Sequence, residues 1–480
     1  MRIGFITPAP ALKRLWIYRQ GGKLYGQPNS ITGPLILGGI LHRAHHEVRV
    51  YEEYNGRVDF RYIYSCDAVC IYTMTSTAPR AYELADLIHH KSHARVIIGG
   101  MHASAMPQEA AEHADQVIVG EGEKVILDVI EGRRPEKIVK CDPICNLDEV
   151  PFPDYSILKT ECKAANVMTT RGCPYRCTFC TTSRMFAPYR QRSVDNVMKE
   201  LRMYKNMGFQ YMNFEDDNFT ADKERAKEIC RRMIGENLIF KETFFFGRTD
   251  LARDEELLDL LKKAHLTRVL IGIESLNQQA LDAIDKHQNI EDIRNAAKAC
   301  ADHGIRMIAS IVLGIDQDGP EDIRRSVQFA KDINAYQLQP AVLTPFPGTP
   351  VYEQMQKENR MISDSWERHD LMTGIDCLIY GFDSWVIEYL YIWPLLVFLA
   401  WKIKGQNTVG QAVLAGMFGL FFGTLCLPVT FLFYGGRSGA LAWWLAGLST
   451  DIIHGISNFL VTLFLYRPLY KALDVTAHRH

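Results

Sequence analysis

Short apolar runs alternate with stretches of helical period through the first 370 residues or so. Arg2 to Thr7, Glu47 to Tyr51, Ala68 to Thr73, Arg95 to Gly99 and Gln116 to Val119 read as strands. Between them Ala81, Leu84, Ala85 and Ile88, and later Ile126, Val129 and Ile130, recur at helix spacing. Strands and helices in alternation predict a parallel sheet covered on both faces, here a doubly wound, Rossmann-like domain over residues 1–135. Ligands of such sheets bind outside the carboxyl ends of the strands. The loops there are Thr73-Met74-Thr75-Ser76, Gly99-Gly100-Met101-His102 and Gly120-Glu121-Gly122-Glu123. Glycine in them lets a backbone come close to a ligand, although each glycine could also simply end its strand.

Residues 136–163 are polar, contain Pro143, Pro151 and Pro153, keep no sustained period and read as a linker. Cys141, Cys145 and Cys162, in or beside it, read as packing or surface thiols. A second series opens at residue 164, with strand patterns at Asn166 to Thr169, Gln210 to Phe214, Thr243 to Phe246, Arg268 to Ile273, Arg306 to Val312 and Gln337 to Leu343. Six strand-helix repeats within residues 164–375 predict a partial (β/α)6 barrel, whose chemistry belongs at the strand carboxyl ends. Polar groups fall there. A C-x3-C-x2-C loop follows the first strand, Glu215, Asp216 and Asp217 the second, Arg248 the third, and Glu274 with Ser275 the fourth.

From residue 376 the pattern changes. Ala412 to Tyr434 lacks Asp, Glu, Lys, Arg and His over 23 residues, long enough to cross a bilayer core of roughly 30 Å. Ala440 to Tyr466 is a second candidate, with Asp451 and His454 near its middle, while Tyr389 to Trp401 is too short and reads as interfacial or re-entrant. If both longer stretches cross, Lys402, Lys404, Arg467 and Lys471 share one side and Arg437 lies opposite, as the positive-inside tendency asks. The expectation is a pair of C-terminal transmembrane helices over residues 376–480, a membrane localisation and cytoplasmic catalytic domains. A buried helical pair is the other reading.

Charge and cysteine content narrow the class. With 54 basic against 56 acidic side chains there is no bulk field to gather nucleic acid. Twelve cysteines, scattered except for one trio, are not the framework of a small secreted domain and suit a reducing compartment. The first apolar run is too short for a signal peptide. Within the trio, Cys173, Cys177 and Cys180 can hold an iron-sulfur cube with one iron left open to a ligand. Zinc, which normally takes four protein ligands, is the rival.

The segment Arg171-Gly172-Cys173-Pro174-Tyr175-Arg176-Cys177-Thr178-Phe179-Cys180 is followed by Phe214-Glu215-Asp216-Asp217-Asn218-Phe219, Ile271-Gly272-Ile273-Glu274-Ser275 and Gly314 through Pro320. Together they resemble the radical S-adenosylmethionine (SAM) enzymes that carry an N-terminal cobalamin-binding domain, and the resemblance covers about residues 1–370. It implies a 4Fe-4S cluster on Cys173, Cys177 and Cys180, and SAM chelating the open iron. It also implies Asp216 and Asp217 for the SAM amino group, Arg248 for its carboxylate and Glu274 for its ribose. A solvated acidic turn at 215–217 and a structural ion pair at Glu274 are the plainer readings. Gly33-Pro34-Leu35 to Leu41, His46-Glu47-Val48 and the two glycine loops resemble the cobalamin domain, which places cobalamin near Gly99, Gly100, His102, Gly120 and Glu121. There is no D-x-H-x-x-G motif, so the lower axial histidine is absent; a domain that kept the fold without the cofactor is the alternative. The implied activity is reductive cleavage of SAM by a membrane-associated enzyme, using electrons from a donor such as flavodoxin or ferredoxin. The apolar tail joined to the catalytic module, rather than the resemblance, biases the substrate towards something apolar, a lipid, isoprenoid or tetrapyrrole, changed by methylation, cyclisation or other C-H functionalisation. A non-catalytic iron-sulfur membrane scaffold or electron carrier is the competing class.

Overall fold

The structure is a computed structural model that describes residues 1–10, 14, 28–333, 335–361, 365–369, 371, 399, 408–422, 424–426 and 451–464. Met1–Asp376 form one compact unit and Cys377–His480 a second.

In the first unit, β1 (Arg2–Thr7), β2 (Glu47–Glu52), β3 (Ala68–Thr73), β4 (Arg95–Gly100), β5 (Gln116–Val119) and β6 (Ile138–Lys140) form one parallel sheet in the order β2-β1-β3-β4-β5-β6. Alternation along β1 explains how the sheet is covered. Ile3 and Phe5 face a layer with Leu35, Val48 and Ile97, whereas Ile6 faces the other layer with Ile71, Leu84 and Ile98. The order reverses between β1 and β3, the switch point at which such sheets open a crevice for ligands.

β6 is a departure from expectation, because it lies in the stretch read as linker. Three residues on a sheet edge are too few to show a period. The chain after it also stays on the sheet: Leu158 bridges to Val50, and Ile157 is buried beneath the helix Thr32–Arg43. A Cβ on Gly38 of that helix would stand 2.7 Å from Ile157 Cδ1, so the close approach depends on glycine.

The second sheet holds β7 (Ala164–Val167), β10 (Tyr211–Phe214), β11 (Glu242–Gly247), β12 (Leu266–Glu274), β13 (Arg306–Leu313) and β14 (Gln337–Val342), parallel and in chain order. Chain order with a helix after each strand is the topology of an incomplete barrel. Between β7 and β10, β8 (Thr170–Arg171) and β9 (Arg190–Gln191) pair antiparallel. The intervening helices start at side-chain caps: Ser193, Asp222, Asp254 and Asn289 accept the amides of Asn196, Arg225, Leu257 and Asp292. Their apolar faces, such as Val197, Met198, Leu201 and Tyr204, close over the sheet. The outer edge of β7 is met by the first domain's own chain. Asn29 bridges to Ala164, Lys163 N donates to Pro28 O at 2.7 Å, and Asn166 Nδ2 donates to Ser30 O at 2.9 Å.

The membrane expectation is corrected. Among the described residues no helix is long and apolar enough to cross a membrane. An apolar composition makes a span only if one helix of about 20 residues runs through it. Among the described residues the helix Thr408–Leu420 has 13 residues, and a second helical stretch is described over 451–464. The two pack through glycine, Gly416 and Gly419 on one and Gly455 on the other. Transmembrane helices, the membrane localisation and a membrane partner therefore lose their support. The remainder of both apolar stretches, and Tyr389 to Trp401 apart from Leu399, lie outside the described residues.

Candidate active site

The cysteine loop hangs from a closed neck. Its two ends are paired as β8 and β9, with Arg171 opposite Arg190. Gly172 turns the chain at φ +78°, and a Cβ there would lie 2.6 Å from Phe186 O. Inside the loop, Arg184 Nη1 donates to Cys177 O at 2.9 Å and to Cys180 O at 3.1 Å, tying down carbonyls that no strand or helix satisfies. Thr178 N donates to Ile284 O at 3.0 Å, which fixes the loop to the segment after β12.

Burial pushes the Cys173 thiol up to about 11 and raises that of Cys177, where Lys286 and Arg248 only partly oppose it. Thiolates at these positions need a cation among them. No group of three or more His, Cys, Asp or Glu among the described residues is gathered as a single-ion site. A four-iron cube takes each thiolate at a different corner, and three cysteines on one short loop fit that group, whereas zinc normally takes four protein ligands.

Beyond β10 the carboxylates separate by strand phase. Met212 and Phe214 are buried on one face, and Asp216 falls on that same face, fully buried. Its oxygens accept from Thr169 N at 2.8 Å, Thr169 Oγ1 at 3.0 Å, Thr170 Oγ1 at 2.7 Å and Thr170 N. These bonds engage Asp216 in joining β10 to β8. Glu215 and Asp217 are half-buried on the opposite face with Asn213. Burial, with the nearby Asp216 and Asp217 charges, pushes Glu215 up to about 7. Burial also pushes Asp217 up to about 6 against a hydrogen bond from Thr182. Two carboxyls destabilised in their charged form suit a cationic ligand.

Arg248 stacks on Tyr175 of the cysteine loop, its Cζ 3.8 Å from the ring centroid, and donates to Lys286 O. Glu274 sits at φ +63° and pairs with Lys286. The pair lies directly over Gly272, whose missing side chain makes the space. For Glu274 the ion-pair reading describes the structure.

A cleft opens at the carboxyl ends of the first sheet, at its switch point. Ile31, Thr32, Gly33 and Pro34 line one wall, while Gly99, Gly100 and Gly120 line the other. Gly100 has φ +109°, and a Cβ on it would stand 2.6 Å from Thr73 O; a Cβ on Gly33 would meet nothing within 4 Å. The open space beside Gly33 suits a large flat cofactor. Met168, just after β7, and Arg171 and Phe186 of the hairpin that follows it reach the same cleft. His102, expected here, is not among the lining residues. It is fully buried between Tyr82 and Trp366, with Nε2 3.4 Å from Glu109. Glu121 lines the cleft, but its carboxylate is engaged by arginine.

Residues 167–330 match the radical SAM superfamily and residues 32–130 match the B12 binding domain. This chain is a radical SAM enzyme with a B12-binding domain. Its sequence is 27% identical to an uncharacterized methyltransferase of Pyrococcus horikoshii, over 70% of this chain and 82% of that protein. It is 26% identical to the bacteriochlorophyllide d C-8(2)-methyltransferase of Chlorobaculum tepidum, over 70% and 78%. Among solved structures, the radical SAM methyltransferase TsrM of Kitasatospora setae, with cobalamin and a [4Fe-4S] cluster bound, superposes with TM-score 0.62 at 16% identity, covering 75% of each chain. At that identity the likeness shows the fold.

The radical SAM and B12-binding domains imply a 4Fe-4S cluster, SAM and cobalamin as cofactors, and the non-catalytic carrier reading gives way to an enzyme. Several residues of this radical SAM enzyme escaped the sequence reading. Glu215 is named at the strand end without a role, although the phase of Met212 and Phe214 separates it from Asp216. Arg171 opens the cysteine segment without a role assigned to it, and Arg184 and Arg190 lie in no motif, so only their spacing around the loop hints at a task.

Proposed function

We propose that this radical SAM enzyme is a cobalamin-dependent methyltransferase acting on an apolar substrate, with a tetrapyrrole the favoured class over a lipid or isoprenoid. The observation that carries the reading is one hairpin serving two sites: the loop with Cys173, Cys177 and Cys180 hangs from β8 and β9, and Arg171 and Phe186 of that hairpin line the cleft at the first sheet's strand ends. Similarity to a bacteriochlorophyllide methyltransferase supports the substrate class.

When bound, the cluster and SAM supply a 5'-deoxyadenosyl radical, and cobalamin supplies a transferable methyl group. Cys173, Cys177 and Cys180 would each hold one corner of the cluster, while Arg184 keeps their loop in shape. Glu215 and Asp217 would accept the N-H groups of the SAM ammonium, charge-assisted bonds that favour their ionised forms. Gly33, Gly99 and Gly100 would let cobalamin lie against backbone, with Gly120 at its margin. An electron donor such as flavodoxin or ferredoxin would feed the cluster.

Anaerobic reconstitution followed by measurement of iron, corrinoid, 5'-deoxyadenosine and S-adenosylhomocysteine tests the proposal. Wild type should bind iron and corrinoid and consume SAM, and Cys177→Ala should lose both iron and SAM cleavage. Iron-replete wild type that leaves SAM intact under strong reduction sinks the reading.

A further inference from the structure

The neck of the cysteine loop is gripped by a buried quartet of charges from both domains. Arg190 Nη2 donates to Glu121 Oε1 at 2.6 Å and its Nη1 to Glu121 Oε2 at 2.9 Å, a two-point fork. Arg171 Nη1 lies 3.2 Å from the same carboxylate, and its Nη2 pairs with Glu123. Side-chain exposures are 4% for Glu121, 7% for Arg190 and 10% for both Arg171 and Glu123, so water screens little of this. The two carboxylates follow β5 of the B12-binding domain. The two guanidiniums are cross-strand neighbours at the root of the loop that carries all three cluster cysteines. Glu121 also accepts Ile144 N at 2.7 Å, and Arg190 donates to Ile144 O at 2.7 Å and Phe186 O at 3.2 Å.

A network built only for stability would satisfy every member. Glu123 Oε2 is buried without a hydrogen-bond partner, so this one tolerates a cost that apolar packing would avoid. What the quartet gains is register. Arg171 stands two residues before Cys173, and Glu121, Glu123 and Arg171 all border the cleft.

We propose that Glu121 and Glu123 are positioning residues that clamp the neck of the cysteine loop to the B12-binding domain and so set the distance between cluster and cobalamin. The cofactor arm of this inference rests on the proposed function; the clamp itself does not. The full chain, without cofactors, is compared by hydrogen exchange as wild type, Glu121→Gln and Glu123→Gln. Glu123→Gln keeps every contact of Glu121 and guards against a variant that fails to fold. In both variants the amides at residues 169–172 and 190–192 should exchange at least about tenfold faster, with β11 to β13 unchanged. In corrinoid-loaded and cluster-loaded protein, iron and cobalt contents should hold while the magnetic coupling between reduced cluster and cob(II)alamin weakens or broadens. Unchanged neck exchange in both variants, or faster exchange confined to the turn around Ile144, overturns the clamp. Unchanged coupling overturns the distance-setting role. Wild type that takes up no corrinoid would count against the proposed function while leaving the exchange result to decide the clamp.

Discussion

Asp216 and Asp217 are adjacent carboxylates on opposite faces, and the two-residue period carried on from β10 is the cause. Asp216 shares the face of Phe214 and serves four donors from Thr169 and Thr170; Asp217 shares the open face of Asn213. Asp216→Ala should strand those buried donors and cost about 2–4 kcal/mol, seen as a lower melting temperature whether or not SAM is present. Asp217→Asn should leave melting unchanged and weaken SAM binding roughly 10–100-fold, read by equilibrium titration of the cluster-loaded protein. The acidic triplet was visible in the sequence, and so was the apolar phase of Met212 and Phe214, but reading the triplet as a unit hid the division. For His102 the packed reading, a loop histidine set against the sheet edge, describes the structure. A loop histidine after two glycines carries no sign of whether it turns to the cleft or, as here, to a pocket made by Tyr82 and by Trp366 from 264 positions further on.

Elements with long apolar runs were legible, and short ones were not. The six strands of the second sheet and five of the first overlap the runs that the pattern marks, with β7 set two residues earlier, because each buries several side chains on one or both faces. β6 has three residues and the β8-β9 neck two on each side, too few to carry a period. The apolar tail misled because composition gives length without showing one continuous helix, and among the described residues no helix is long and apolar enough to cross a membrane. Gly100 is the position where an element's end and the cleft's wall coincide. Gly100→Ala should cost about 1–3 kcal/mol from its positive φ alone, with the approach to Thr73 O adding to it. Thermal melting and corrinoid retention on gel filtration should both fall. A variant with full corrinoid retention would show that this wall is not used.

At the level of the whole molecule, acid should loosen the join between the two domains before it unfolds either core. Burial pushes the Glu121 pKa up, but Arg190, the Ile144 amide and Arg171 outweigh it and leave the group below its ordinary 4.5. A group depressed in this way contributes fully above its unfolded value and loses its contribution as pH falls through the folded one. Melting temperature should therefore drop more steeply in wild type than in Glu121→Gln between about pH 5 and pH 3. Parallel curves would remove Glu121 from the account. The strip of chain at Pro28 to Ser30 along β7 bears on how the gene can be cut. A radical SAM half expressed from Glu161 onward would present a naked row of strand donors and acceptors, an invitation to pair with its own copies. Such a fragment should run as soluble aggregate on size exclusion, and supplying the missing N-terminal half in the same cell should rescue it.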